Sequence, residues 1–193
     1  MKFFNVAALL IVFSISASAA DYVVDPVHSN VTFTVRHLIS KVTGNFTDFT
    51  GEFSWNEKTP AASKVNFVVQ TKSLDTNNEK RDTHLRSPDF FDAEKYPTLT
   101  FASKKVQMNG KKNGKVSGDL TIRGVTKPTT FDVEYLGTSP DPFGGAPRAG
   151  FIAKTRLNRK DYGLVWNKTL DNGAFLLGDD VDVNLQIEAQ QKK

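Results

Sequence analysis

The chain has 193 residues, a formal net charge of +4 and no cysteine. The lack of cysteine excludes disulfides, thiolate metal sites and a cysteine nucleophile. The lysines are dispersed and not interleaved with aromatic residues, which argues against nucleic-acid binding.

The N-terminal twenty residues have the pattern of a secretory signal peptide. Lys2 precedes an apolar run, and small residues follow up to Ala20. This pattern predicts cleavage after Ala19 or Ala20, with 1–19 as the signal and 20–193 as a single domain in the periplasm. No later run approaches the roughly 18 consecutive apolar residues of a transmembrane helix, so we expect an exported protein that does not span the membrane.

Alternation of apolar and polar residues at period two recurs from Asn30 to the end of the chain. Each such run predicts a strand with one apolar face. The apolar positions of the clearest runs are Val31, Phe33 and Val35; Val65, Phe67 and Val69; Leu120 and Ile122; Phe131, Val133 and Tyr135; and Val181, Val183, Leu185 and Ile187. Turn signals such as Asn109-Gly110 separate the runs. We therefore expect about eight strands in an up-and-down antiparallel barrel or a sandwich.

The stretch GNFTDFTGEFSW, residues 44–55, contains phenylalanines of opposite parity. In one extended strand Phe46 and Phe49 would lie on opposite faces. An apolar face changes side only at a bulge or bend, which we expect near 47–49 or at Gly51.

One segment, roughly 77–86, has the signals of a helix. Thr76 or Asn77 can cap its start, and Ser87-Pro88 ends it. It overlaps the charged stretch KRDTHLRSPDFFDAEKYP, residues 80–97, which is therefore expected to be a short helix and the loop after it.

No constellation for catalysis, metal binding or a cofactor is found in the sequence. The histidines, His28, His37 and His84, do not have the spacing of a zinc site. No serine lies in a G-x-S-x-G elbow, and no phosphate loop or dinucleotide motif occurs. The acid pairs lie in turn-like sequence, where carboxylates are usually solvated or cap backbone groups. We expect no catalytic residue, no metal and no cofactor.

The 15 phenylalanines leave two interpretations of the barrel open. A barrel of about eight strands is wide enough either to be packed solid or to hold one small ligand. Aromatic side chains suit both a solid core and an apolar cavity.

Several long runs resemble one bacterial family. They are DPVHSNVTFTVRHL, GNFTDFTGEFSW, SLDTNNEKRDTHLRSPDFFDAEKYPTLTF, GDLTIRGVTKPTTFDVEYLG and DPFGGAPRAGF, in this order. Together they resemble the YceI-like family of periplasmic polyisoprenoid-binding proteins over nearly all of the chain after the signal. The resemblance implies an all-β, lipocalin-like antiparallel barrel with one short helix. It also implies that the barrel carries or stores an isoprenoid or other long-chain lipid in an apolar tunnel, without catalysis.

The resemblance suggests candidate ligand-binding residues. For the tunnel wall they are Phe33, Phe67, Phe101 and Phe131, with Phe90 and Phe91 plugging or lining one end. For the ligand's head group they are Arg81, His84, Arg86 and Arg148, although the first three can instead pair with Asp82, Asp89 and Asp92.

Competing hypotheses are an enzyme acting on the same lipid and a solid-core barrel that serves as an interaction module. A tail longer than the barrel would fold back, protrude or reach a second subunit, so a homodimer stays open.

Overall fold

The computed structural model of the chain describes residues 19–171 and 173–192, and β-strands dominate it. The predicted signal peptide lies outside this range apart from its last position. The strands are β1 Ala20–Val24, β2 Asn30–His37, β3 Ser40–Phe46, β4 Phe49–Trp55, β5 Lys64–Gln70, β6 Leu74–Asp75, β7 Thr98–Asn109, β8 Asn113–Ile122, β9 Val125–Ser139, β10 Arg148–Asn158 and β11 Leu177–Gln191. One α-helix, α1, spans Glu79–Arg86, and short 3-10 turns span Pro60–Ala62, Thr71–Ser73 and Arg159–Tyr162. No helix in the described ranges is long and apolar enough to cross a membrane.

The strands form a closed antiparallel barrel with 8 strand positions. Strands β7 to β11 each fill one position, whereas β1 with β2, β3 with β4, and β5 with β6 each share one end to end. Neighbours along the chain are neighbours in the barrel, and β11 closes it by pairing with both β1 and β2. The predicted lipocalin-like barrel with one short helix is confirmed.

Alternation along each strand decides which side chains face the interior. On β11, Val181, Val183 and Leu185 line the inside of the barrel. Asp182 faces the outer surface, where its carboxylate lies 2.7 Å from the guanidinium of Arg156 on β10. The period-two pattern read from the sequence therefore corresponds to inside and outside.

The chain bends between β3 and β4, as predicted. Phe46 ends β3 and Phe49 begins β4, and both are buried although they have opposite parity. Between them Thr47 leaves the ladder, and its backbone N–H and hydroxyl donate to the Ser73 carbonyl at 3.2 and 3.1 Å. The bend at Thr47–Asp48 lets both phenylalanines face the interior.

Helix α1 begins later than predicted. Its N-cap is Asn78, whose side chain accepts a hydrogen bond from the Arg81 N–H at 3.0 Å. The predicted caps, Thr76 and Asn77, were wrong. Thr76 is hydrogen-bonded to the Asp82 carboxylate, and Asn77 has a φ of +58°, outside the extended region that an N-cap requires.

Candidate ligand cavity

The barrel encloses a cavity of about 650 Å³ that runs from α1 to the end of β4. This volume lies within the range of roughly 300 to 1,000 Å³ that is typical of small-ligand sites. Inward-facing strand residues form most of the wall, and α1 with the segment 159–166 completes it at one end. Among the described residues of the wall, apolar side chains predominate. The barrel is therefore hollow, and its apolar interior can accommodate apolar groups of a ligand.

The structure places most of the candidate residues in this wall. Those that line the cavity are Phe33, Phe67, Phe101, Phe131, Phe90, Phe91, Arg81 and His84. Arg86 and Arg148 do not line it. A place in the wall puts a side chain within reach of a ligand, and ligand contact itself stays a prediction.

Two of these phenylalanines lie over glycines of the neighbouring strand. Gly44 is the cross-strand partner of Phe33, and Gly51 is that of Phe67. A Cβ atom at Gly44 would lie 2.4 Å from Phe33 Cζ, and one at Gly51 would lie 2.6 Å from Phe67 Cδ2. Because glycine has no Cβ atom, both phenylalanine rings pack directly against the backbone of the neighbouring strand, which leaves the lumen open.

Aromatic side chains close the end of the barrel opposite α1. Trp55, Tyr135 and Phe151 pack with ring centroids 5.0 to 5.2 Å apart, and Trp55 and Tyr135 are buried. The Tyr135 hydroxyl donates to the Glu57 carboxylate. Burial, followed by this hydrogen bond, raises the pKa of Tyr135 above its ordinary value.

The other end of the cavity opens beside α1, where the exposed Lys80 is part of the lining. The His84 ring meets the rings of Phe90 and Trp166 edge-on, with centroids 5.0 and 4.9 Å away. His84 Nε2 lies 2.9 Å from the Asp89 carboxylate. The structure thus shows the alternative in which His84 pairs with an aspartate at the mouth.

The arginine side chains of α1 make hydrogen bonds to other residues of the chain. Arg81 donates to the hydroxyl and the carbonyl of Thr76 at 2.6 and 2.7 Å. Arg86 donates to the Leu74 carbonyl and lies 3.8 Å from the Glu79 carboxylate. Both side chains hold α1 against the segment 74–76 and do not pair with the aspartates proposed from the sequence.

Arg148 faces the outer surface at the closed end of the barrel. Its guanidinium lies 2.7 Å from the carboxylates of both Asp25 and Glu188 and 3.2 Å from that of Asp141. Hydrogen bonds from His28 and then Arg148 hold the pKa of Asp25 at about 2. Arg148 lies on the outer side of the wall and does not line the cavity, so its expected head-group role stays a prediction without a contact to support it.

The same surface group has the spacing of a metal site. Asp25, His28 and Glu188 bring ligand atoms within 4.8 Å of one another. Because the Arg148 guanidinium contacts both carboxylates, a cation would have to displace it.

Sequence reasoning missed part of the wall, including Arg159, Trp166 and Ser63. Arg159 is buried and donates to the carbonyls of Leu164, Trp166 and Gly178, which ties the start of the 3-10 turn to the segment after it and to the start of β11. Burial lowers the pKa of Arg159. None of the three lies in a run of alternating apolar and polar residues, so the alternation could not predict that their side chains face the lumen.

Similar known proteins identify the family. A model of the YceI-like domain matches residues 22–189. A UPF0312 protein of Vibrio vulnificus is 48% identical over 188 residues, which cover 96% of this chain and 95% of that protein. The chain belongs to the YceI-like family.

Solved structures share the YceI-like barrel. A Campylobacter jejuni YceI protein matches with a TM-score of 0.71 and 33% identity, covering 82% of this chain and 90% of that one. A polyisoprenoid-binding domain from Saccharophagus degradans, implicated in plant cell wall breakdown, matches with a TM-score of 0.65 and 15% identity over 90% of this chain and 99% of that one. At that identity the second likeness shows the fold alone.

Proposed function

We propose that this YceI-like protein binds, carries or stores a long-chain isoprenoid or related lipid in the periplasm. The observation that carries the proposal is the apolar cavity of about 650 Å³ inside the barrel. The name of the Saccharophagus degradans domain, which has the same fold, supports a polyisoprenoid ligand. The periplasmic location rests on the signal-peptide pattern of the N-terminal residues.

Burial of the lipid tail supplies the affinity. At about 0.8 kcal/mol per methylene-sized group, each five-carbon prenyl unit contributes about 3 to 4 kcal/mol as an upper estimate. Two or three units suffice for micromolar binding, about 8 kcal/mol, after the costs of association. The apolar wall therefore provides the affinity for the lipid tail, and polar groups of the protein orient the lipid in the cavity.

We infer binding and not catalysis from the engagement of the polar groups at the mouth. The His84 ring pairs with Asp89, and the Arg81 guanidinium is held by Thr76. Each of these contacts fixes the helix or the loop after it. A bound lipid should therefore leave the protein chemically unchanged.

The two tryptophans of the chain provide the test, because Trp55 and Trp166 line opposite ends of the cavity. Titration with a polyprenol should change their fluorescence saturably, with a micromolar Kd and one ligand per chain. Mass spectrometry should then recover the polyprenol unchanged. The absence of a saturable change would contradict the proposal, and a modified lipid would favour an enzyme.

A further inference from the structure

Two polar side chains at the closed end of the cavity have no hydrogen-bond partner among the described residues. They are Ser63, through Oγ, and Trp55, through Nε1. Both residues are 7% exposed, and both line the cavity. Buried polar groups in proteins are nearly always paired, so two of them at one end of the cavity indicate a partner supplied from outside the chain.

The pairing of β4 with β5 brings these side chains together. Ser54 pairs with Lys64 at the last position of this ladder, so Trp55, which follows Ser54, and Ser63, which precedes Lys64, flank the end of the ladder, and both line the lumen. The Trp55 N–H lies near the Tyr135 hydroxyl but makes no hydrogen bond of normal geometry with it. That hydroxyl is already bonded to two other side chains.

We infer that Trp55 and Ser63 form a subsite for the uncharged polar end of the lipid, such as a carbonyl, amide or quinone oxygen; this rests on the proposed function. The indole N–H donates to the oxygen, and the serine hydroxyl donates or accepts. The cationic and histidine side chains of the described wall all lie at the opposite end: His37, Lys80, Arg81, His84 and Arg159. A phosphate at the closed end would be buried without a counter-ion, so the subsite selects a neutral group.

The lipid then lies with its polar end beside Trp55 and its tail directed toward α1. There the tail meets Phe90 and Phe91. This orientation is the reverse of the one expected from the sequence, in which arginines of α1 meet the head group.

Competition between two probes of equal chain length tests the subsite. Oleamide carries a terminal amide, and 1-octadecene carries none. Native mass spectrometry of the wild-type protein with both probes should show a preference for oleamide of about tenfold or more, because each hydrogen bond contributes about fivefold. Ser63→Ala and Trp55→Phe should each reduce the preference about fivefold. Ser117→Ala is the matched control, because Ser117 is hydrogen-bonded to Thr130 on the outer surface, and it should leave the preference unchanged.

The outcomes separate this inference from the proposed function. Equal binding of both probes by the wild type, or an undiminished preference in the two variants, overturns the subsite and leaves lipid binding intact. Binding of neither probe by folded wild-type protein overturns both. Circular dichroism reports folding, and Ser63→Ala decides the matter if Trp55→Phe does not fold.

A second observation concerns the hairpin tip beside the mouth. Only Leu38 and Ile39 join β2 to β3, between the paired residues His37 and Ser40. Leu38 has a φ of +53°, a conformation that such turns usually give to asparagine or glycine, and Ile39 is fully exposed. A strained and solvent-exposed apolar tip is unfavourable for the isolated chain, which indicates a binding role.

Two cationic side chains, those of Arg36 and Lys160, lie near this tip. The Leu38 N–H donates to the Leu176 carbonyl at 2.9 Å, which places the exposed Phe175 beside the tip. Arg36 donates to the carbonyls of Leu38 and Phe175, and the Lys160 ammonium lies 5.7 Å from the Phe175 ring. Apolar side chains flanked by cations are typical of surfaces that enter an anionic membrane interface.

The charges beside the exposed apolar residues differ between the two ends of the barrel. At the mouth, Asp179 is paired with both Arg159 and Lys160, and the exposed Asp161 and Asp180 lie next to them in the chain. Among the described residues, the Arg36 guanidinium beside the tip donates to backbone carbonyls and is in no ion pair. The closed end also exposes an apolar residue, Phe143, but there the Arg148 guanidinium is surrounded by three carboxylates. We propose that the Leu38–Ile39 tip inserts into the surface of an anionic lipid bilayer and sets the cavity mouth against the membrane.

Co-sedimentation with vesicles of phosphatidylcholine and phosphatidylglycerol tests this second proposal. The wild type should bind, and Ile39→Glu should weaken binding about tenfold or more. Phe143→Glu places the same charge on an equally exposed apolar residue at the other end and should bind like the wild type. An absence of wild-type binding, or an equal loss in both variants, would overturn the proposal.

Discussion

Ala153 is the position at which the cavity can be filled most directly. It lies on β10 between Val133 of β9 and Leu185 of β11, and it lines the lumen. Ala153→Trp would add an indole ring between the closed end at Phe151 and the mouth at Leu157. We expect it to displace the lipid.

The magnitude follows from the cavity volume. At roughly 30 Å³ per water-sized group, about 650 Å³ holds on the order of 20 carbon-sized groups. The indole adds about nine heavy atoms and displaces a similar number of ligand groups, worth at most about 7 kcal/mol. Because the lipid can shift or protrude, we expect a smaller loss of about 3 kcal/mol, a binding constant at least about 100-fold weaker.

Ile152→Trp is the matched control, because Ile152 faces the outer surface beside Lys154. Isothermal titration calorimetry with a polyprenol measures binding by both variants. Thermal unfolding reports folding, since overpacking itself costs about 1 to 3 kcal/mol of stability. Wild-type affinity in folded Ala153→Trp would refute the placement of the lipid in the lumen.

Three further predictions concern stability. A neighbouring histidine and Arg148 hold the pKa of Asp25 at about 2, below 3.8, so this carboxylate stabilises the fold above about pH 5 and loses its contribution as the pH falls toward 2. Arg148→Ala should reduce this acid dependence in urea titrations, and an unchanged pH profile would contradict it. Leu38→Asn should raise the free energy of unfolding by about 0.5 to 1 kcal/mol, because asparagine tolerates positive φ, and a lower melting temperature would argue against strain. Asp82→Ala leaves the buried Thr76 N–H without its acceptor and should cost about 2 to 3 kcal/mol, whereas an unshifted urea midpoint would show that this contact is dispensable.

Much of the fold follows from side-chain parity. The residues of β11 that alternate in sequence alternate between lumen and surface, and the opposed parity of Phe46 and Phe49 predicted the bend between them. Parity is a local property, so a single strand shows it. The start of α1 was misplaced because Asn77 has a left-handed backbone and its N–H donates to the Asp75 carboxylate, which composition does not reveal.

The site was less predictable because its polar residues depend on tertiary contacts. Arg148 was a plausible head-group ligand, yet its three carboxylate partners come from separate parts of the chain and hold it outside the wall. Ser63 lies after a 3-10 turn, and its place in the cavity wall near Trp55 depends on the pairing of β4 with β5, which ends at Ser54 and Lys64. A lone serine in a loop gives no sign in the sequence that it will be buried without a partner.

Native mass spectrometry of the protein purified from periplasm tests most directly whether the barrel holds a lipid. The intact mass should exceed that of the polypeptide by one long-chain lipid per chain, and the excess should disappear in folded Ala153→Trp but persist in Ile152→Trp. A folded wild-type protein with the mass of the polypeptide alone, before and after incubation with polyprenol, would contradict lipid binding.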